Sequence, residues 1–324
     1  MKRITEIETA EISVRGRFIR VPAIRVDDLV VAVTGSAIKT GGIEGEAWLD
    51  PRQLDSPELI IEALRRKKAP LDLFRFSQRL PDTEPKYSYP HEWEDVAAIP
   101  LTTYEDWWEN RASQVTRKNV RRSVKRGVEI RPVEFDDRLI EAIVAINNDA
   151  PFRTGRRFWH YGKDFAAVKK DYSTFLDRSG FFGAFYGGEI IGFLRLIYQG
   201  EVTSIMQLLS MKSHSDKRPS NALVARAVEH CVGRGNRFLV YGQFIYDGFE
   251  DSPLTEFKRR NGFEQYFVPA YYVPFTLKGR CAIKLHIHTG FRRLIPTGVK
   301  KTLRKARAGF YGRRRHSPSS VESE

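Results

Sequence analysis

Apolar positions change their period several times along the chain, and each change marks an element. Residues 17–21 and 29–33 alternate or run apolar on either side of Asp27-Asp28, the pattern of a hairpin. Ser56-Pro57-Glu58 supplies a cap and a first-turn proline for a helix carrying Leu59, Ile60, Ala63 and Leu64. Residues 71–76 alternate as a strand, and residues 81–90 form a turn-rich connector. A helix opens at Tyr104, runs to Arg126 with or without a break, and stops at Gly127. Residues 128–133 then alternate as a strand. Leu139, Ile140, Ile143, Val144 and Ile146 give residues 136–148 a helical face, and a further helix is expected over 164–178. Three closely spaced strands follow at 181–186, 189–198 and 202–210, the first pair joined by Gly187-Gly188. Pro219 opens a helix to Gly233 whose apolar face holds Leu223, Val224, Ala227, Val228 and Cys231. A strand at 238–244, a short helix from Ser252-Pro253 to Asn261 and a long strand at 263–276 complete the pattern. From residue 128 the order is β-α-α-β-β-β-α-β-α-β.

Composition adds bounds. The chain has 324 residues, 41% hydrophobic and 29% charged, enough for one large or two medium domains with buried cores. Its longest uncharged apolar stretches fall well short of the roughly 20 residues a spanning helix needs. Residues 1–6 carry an early acid and no apolar h-region, so a cytoplasmic protein is expected. Two cysteines cannot form a disulfide framework, which fits a reducing compartment. Lys and Arg number 54 against 40 Asp and Glu, a net charge of +14. Twenty of those bases lie in two acid-free stretches, between Glu109 and Glu129 and between Glu264 and Glu322, so elsewhere acids outnumber bases. Such clustering points to local contact with an anionic partner.

Three antiparallel strands followed by helix, strand, helix, strand do not make a doubly wound sheet. The order resembles the GNAT acyltransferase fold, an α/β (α+β) architecture with a mixed, mostly antiparallel sheet and flanking helices. In that fold the fourth and fifth strands are parallel neighbours that splay around the acyl donor. Two segments narrow the resemblance. The basic stretch from Ser113 through Arg117-Lys118 and Arg121-Arg122 to Gly127 looks like the entry to the catalytic lobe of FemAB-like proteins and of the related polysaccharide-cluster acetyltransferases. Phe257-Lys258-Arg259-Arg260-Asn261-Gly262-Phe263, followed by Tyr271-Tyr272-Val273-Pro274, resembles their phenylalanine-lysine, glycine-phenylalanine motif. The resemblance covers about residues 104–274. It divides the chain into an N-terminal α/β lobe (1–102), readable as a reduced GNAT-like half, a catalytic lobe (103–276) and a basic C-terminal segment (277–324).

The resemblance implies direct transfer of an acetyl or aminoacyl group to an amine or hydroxyl of a cell-envelope or polysaccharide precursor, the acceptor being a small or lipid-linked saccharide. It implies that Lys258 steadies the charge growing on the acyl carbonyl. Tyr246 or Asp247, at the end of the strand expected over 238–244, would relay a proton. Acyl-CoA enzymes of the wider fold hold the pyrophosphate on a glycine-rich loop at a helix start. Here residues 211–222 contain no glycine but retain Lys212, Lys217, Arg218, Ser220 and Asn221 as donor-binding candidates. Acyl-CoA is the expected co-substrate and aminoacyl-tRNA the runner-up. The polar-aromatic stretch Asn147-Asn148-Asp149 to Lys163 offers Arg153, Arg156, Arg157 and Trp159 to the acceptor, joined by Tyr241 and Gln243, because guanidinium groups suit phosphate and carboxylate. His286 and His288 share one side of an expected strand, with no further ligand nearby, so no metal is expected.

Phe291, Ile295, Val299, Leu303, Ala306 and Phe310 recur at helical spacing among bases, a basic amphipathic segment. Contact with an anionic membrane, docking on its own domain and RNA binding all fit that pattern. The rival to an enzyme is a non-catalytic protein of the same fold that binds RNA or anionic lipid through its basic segments.

Overall fold

The computed structural model describes residues 7–14, 17–153, 156–246 and 250–288. The N-terminal part holds β1 (Ile7–Val14), β2 (Arg17–Val26), β3 (Leu29–Thr34), β4 (Thr40–Ile43), α1 (Pro57–Arg66), β5 (Leu73–Ser77) and β6 (His91–Pro100). The remainder holds α2 (Tyr104–Asp106), which runs into a π-helical turn at Trp107–Arg111, then α3 (Gln114–Lys125), β7 (Glu129–Val133), α4 (Asp137–Asn148), the short pair β8 (Phe152–Arg153) and β9 (Arg156–Arg157), and α5 (Phe165–Tyr172). It continues with β10 (Ser179–Tyr186), β11 (Glu189–Gln199), β12 (Val202–Ser210), α6 (Pro219–Gly233), β13 (Phe238–Val240), α7 (Pro253–Arg260), β14 (Glu264–Pro274) and α8 (Leu277–Lys284).

Twelve strands form one sheet in the order β1-β2-β3-β4-β5-β14-β6-β13-β12-β11-β10-β7. Most pairs are antiparallel; β4 with β5 and β12 with β13 are parallel. Gly187 and Gly188 both have positive φ, at 58° and 86°, so the β10–β11 hairpin closes on the turn that their sequence predicts. β11 reads as a nearly continuous apolar run because both of its faces are covered. On one side Leu194 and Leu196 pack with Leu223, Val224 and Val228 of α6, together with Trp107. On the other, Phe193 packs with Ile140 and Ile143 of α4 and Val168 and Tyr172 of α5. A separate core in the N-terminal part joins Ile24, Val31, Leu64, Phe74 and Phe76 to Tyr271 of β14.

The element order from β7 onward matches the pattern in the sequence; several details differ. β6 escapes a reading of the sequence: its acids and paired alanines carry no strong alternation, and it is a strand because β13 and β14 hydrogen-bond it from both sides. The helix expected over 164–178 ends at Tyr172, before Phe175 turns left-handed at φ 52°. His286 and His288 are not on a strand. They follow α8, and His288 packs its ring on Tyr272 at 4.5 Å and lies 3.2 Å from Glu92. Among the described residues no helix is long and apolar enough to cross a membrane. The basic segment beyond residue 288, including the amphipathic stretch 291–310, lies outside the described residues.

Candidate active site

The parallel pairing of β12 with β13 lasts three residues, Val202–Ser204 against Phe238–Val240. β12 then runs on to Ser210 along β11, while the chain leaves β13 at Tyr241. The strand expected over 238–244 is therefore cut short. Gly242 takes φ +57°, and a Cβ there would stand 2.5 Å from the Tyr246 hydroxyl. This turn ends the strand and brings the rings of Tyr241 and Tyr246 to one point.

That point is Lys258. Ser252 caps α7 through the Thr255 N–H, with Pro253 in its first turn, and the helix carries Lys258 fully buried under the 241–246 loop. Its Nζ donates to the Gln243 carbonyl at 2.5 Å and lies 4.6 Å from the Tyr241 ring centre and 4.7 Å from that of Tyr246. Burial lowers the Lys258 pKa to about 7, partly offset by the Asp95 carboxylate. Burial also raises the Tyr246 phenol, although its oxygen accepts the Gln243 N–H. Tyr246 itself is 37% exposed, so one wall of the lysine cage faces solvent. The Gln243 side chain is exposed, and Asp247 lies outside the described residues.

The donor-side candidates gather where β12 gives way to α6. Ser220 Oγ sits 3.0 Å from Ser210 Oγ, Arg218 takes a left-handed φ of 57° at the start of α6, and Lys212 and Arg218 are exposed. Lys217 stacks over Tyr186 at 4.5 Å and pairs with Asp216. The side chain of Asn221 is buried and engaged: its Oδ1 accepts from Asn119 at 3.3 Å, and its Nδ2 donates to Asn261 at 3.1 Å. Asn261 in turn bonds the Phe257 carbonyl at 2.7 Å, so a run of amides ties α3, α6 and α7 together. The N–H groups of Lys212 and Ser213 both donate to Asp149 Oδ2, at 2.5 and 3.2 Å.

Across the sheet, Arg153 donates to the carbonyls of Ser210 at 2.8 Å and Ile146 at 2.7 Å and stacks on Phe158 at 4.5 Å. Its guanidinium thus ties β12 to α4. Arg157 and Trp159 are exposed on the same segment, and Arg156 lies on β9. Beneath them His160 is buried and its pKa falls to about 4, mainly through burial and then the Lys163 charge. Lys258, Tyr241, Gln243 and Tyr246 form one cluster; the donor-side and acceptor-side residues flank the far end of β12.

Asp95, Asn119 and Asn261 join these contacts without having been singled out in the sequence, whereas Asn221 stood among the donor-side candidates and Asp149 in the polar acceptor-side stretch. Asp95 and Asn261 gave no signal, because their partners are distant in sequence.

No protein-family model matches the chain, and no curated protein matches its sequence. Solved structures do match. FemX superposes with a TM-score of 0.56 at 10% identity, over 86% of this chain and 89% of that one. L-PGS from Bacillus licheniformis superposes with a TM-score of 0.52 at 13% identity, over 82% and 88%. The fold is GNAT-like and FemAB-like.

Proposed function

We propose that the chain is an acyltransferase that moves an acyl group from an activated donor to an amine or hydroxyl of a cell-envelope or polysaccharide precursor. Attack is direct, with no covalent enzyme intermediate. Lys258 carries this reading. A buried ammonium bonded to a carbonyl and not to a carboxylate is costly, and a site built that way suits a group that becomes negative only during reaction. The transferring carbonyl oxygen would meet Nζ from the side that Tyr246 covers, and such contacts are worth about 3–4 kcal/mol at the transition state. Tyr246, whose phenol accepts one proton as it gives up another, or the Asp247 carboxylate, would take the proton of the attacking amine or hydroxyl and hand one on to the departing group, so that the transfer balances. The double-lobed family architecture supports reading residues 1–102 as a reduced GNAT-like half. β2 to β5 repeat the pairing of β10 to β13: antiparallel, antiparallel, then parallel across a helix.

Acyl-CoA is the proposed donor, its phosphates facing Lys212, Lys217, Arg218 and the helix start at Ser220. Arg153, Arg156, Arg157, Trp159, Tyr241 and Gln243 would receive the acceptor. A second donor, aminoacyl-tRNA, is favoured by one observation: Asp149 already occupies the loop N–H groups that would otherwise grip a pyrophosphate. A thermal-shift series with acetyl-CoA, longer acyl-CoAs and charged tRNA separates them, followed by turnover assays with Lys258→Met and Tyr246→Phe. The expected result is stabilisation by an acyl-CoA and a loss of at least 100-fold in transfer for Lys258→Met. Stabilisation by charged tRNA alone would replace the donor. Full transfer by both variants, or RNA binding with no turnover of either donor, would overturn the reading.

A further inference from the structure

The 241–246 loop is held from two sides. From above, Lys258 bonds the Gln243 carbonyl, and Thr255 Oγ1 bonds that of Phe244 at 3.3 Å. From below, β6 continues past the end of β13: Ala97 N–H donates to the Gly242 carbonyl and Tyr241 N–H to the Ala97 carbonyl, each at 2.8 Å. Two residues earlier on β6, Asp95 Oδ2 accepts the Ile245 N–H at 2.6 Å and the Gln265 side chain of β14 at 3.3 Å. Asp95 therefore holds the backbone of the residue before Tyr246, and its charge acts on Lys258 and Tyr246 together.

We propose that Asp95 is the positioning residue of this site: it fixes the loop that cages Lys258 and supplies a counter-charge that favours the ammonium form of the lysine. The inference rests on the acyl-transfer reading for its purpose and on these contacts for its substance. The groups facing Lys258 explain why a counter-charge matters. Gln243 offers a carbonyl, Tyr241 and Tyr246 offer rings, and Gln265 behind Asp95 is neutral, so among the described residues Asp95 supplies the carboxylate charge acting on Lys258 in a low-dielectric surrounding that otherwise favours the free amine. The residue comes from β6, which the N-terminal part of the chain inserts beside β13, so the site is completed by a strand outside the catalytic lobe.

Two variants separate the two roles. Asp95→Asn keeps an oxygen for the Ile245 N–H and removes the charge; Asp95→Ala removes both. In full-length protein carrying 13C,15N-lysine, the Lys258 side-chain resonance, assigned with Lys258→Arg, is titrated by NMR without substrate. Its midpoint should fall by about one pH unit in Asp95→Asn. Hydrogen exchange at the Ile245 amide should stay near the parent rate in Asp95→Asn and rise at least tenfold in Asp95→Ala. An unmoved Lys258 midpoint, or equal Ile245 exchange in all three proteins, overturns the proposal. Because neither readout needs turnover, a shifted midpoint in a protein that transfers no acyl group would defeat the functional reading and leave this one standing.

Discussion

At the scale of single residues, the role proposed for Lys258 rests on where it is buried. Its folded pKa of about 7 lies below the ordinary 10.5, so between those values the unfolded chain binds more protons than the folded one. Stability must then rise with pH across that window, by at most about 1.4 kcal/mol per unit, and this contribution is absent in Lys258→Met. The difference in melting temperature between Lys258→Met and the parent should thus shift toward the parent between pH 6 and pH 9. A difference that stays constant would mean that the ammonium is not desolvated. Transfer that depends on the ammonium should weaken over the same range, whereas a lysine acting as a base would strengthen. Cys231, by contrast, behaves as its place on an apolar helix face suggests: it is fully buried, and burial pushes its thiol up to about 12.

At the scale of elements, the site depends on how β13 ends. Gly242 combines a positive φ with a close approach, and both are needed to fold Tyr246 back over Lys258. Gly187 has nearly the same φ, +58°, but a Cβ added there would meet nothing within 4 Å, so it serves as a control for backbone strain alone. Gly187→Ala should cost about 1 kcal/mol in urea unfolding. Gly242→Ala should cost about 1–2 kcal/mol more, because its Cβ meets the Tyr246 hydroxyl, and it should impair transfer by displacing that ring. Equal costs for the two would show that the Tyr246 contact is not part of the folded loop. The amide run through Asn119, Asn221 and Asn261 acts at this scale too, since it registers α3, α6 and α7 against one another.

At the scale of the molecule, β6 and β14 join the N-terminal strands to β7 and β10–β13 in one sheet, and β14 pairs with β5 on one edge and β6 on the other. The proposed role at a lipid-linked acceptor would be served by bringing the protein to an anionic membrane surface. The residues that would bring it there are the ten bases and the two phenylalanines between positions 291 and 315. Each base near an anionic surface contributes about 1 kcal/mol at low salt. Co-sedimentation should therefore show binding to anionic but not neutral vesicles, lost at high salt and lost when residues 291–324 are removed. Undiminished binding without that segment would transfer the role to α3, whose Lys118, Arg122 and Lys125 are exposed.

Local chemistry by itself determined the β-α-α-β-β-β-α-β-α-β order. The Gly187-Gly188 turn, the Ser252-Pro253 helix start and the apolar face of α6 are each written within a few neighbouring residues, and short-range sterics and periodicity suffice to read them. The motif around Lys258 was legible through its resemblance to the FemAB-like pattern, which is likewise written within a few neighbouring residues. What only the tertiary structure decided is everything that needs partners far apart in the chain. β6 is a strand because two others flank it; β13 stops early because Gly242 lets Tyr246 return to Lys258; and Asn221 turns inward because Asn119 and Asn261 meet it there. Asp95 and Lys258 stand far apart in sequence, and no pattern in one stretch records a charge placed by the other. Burial and long-range pairing alone bring them to the same loop.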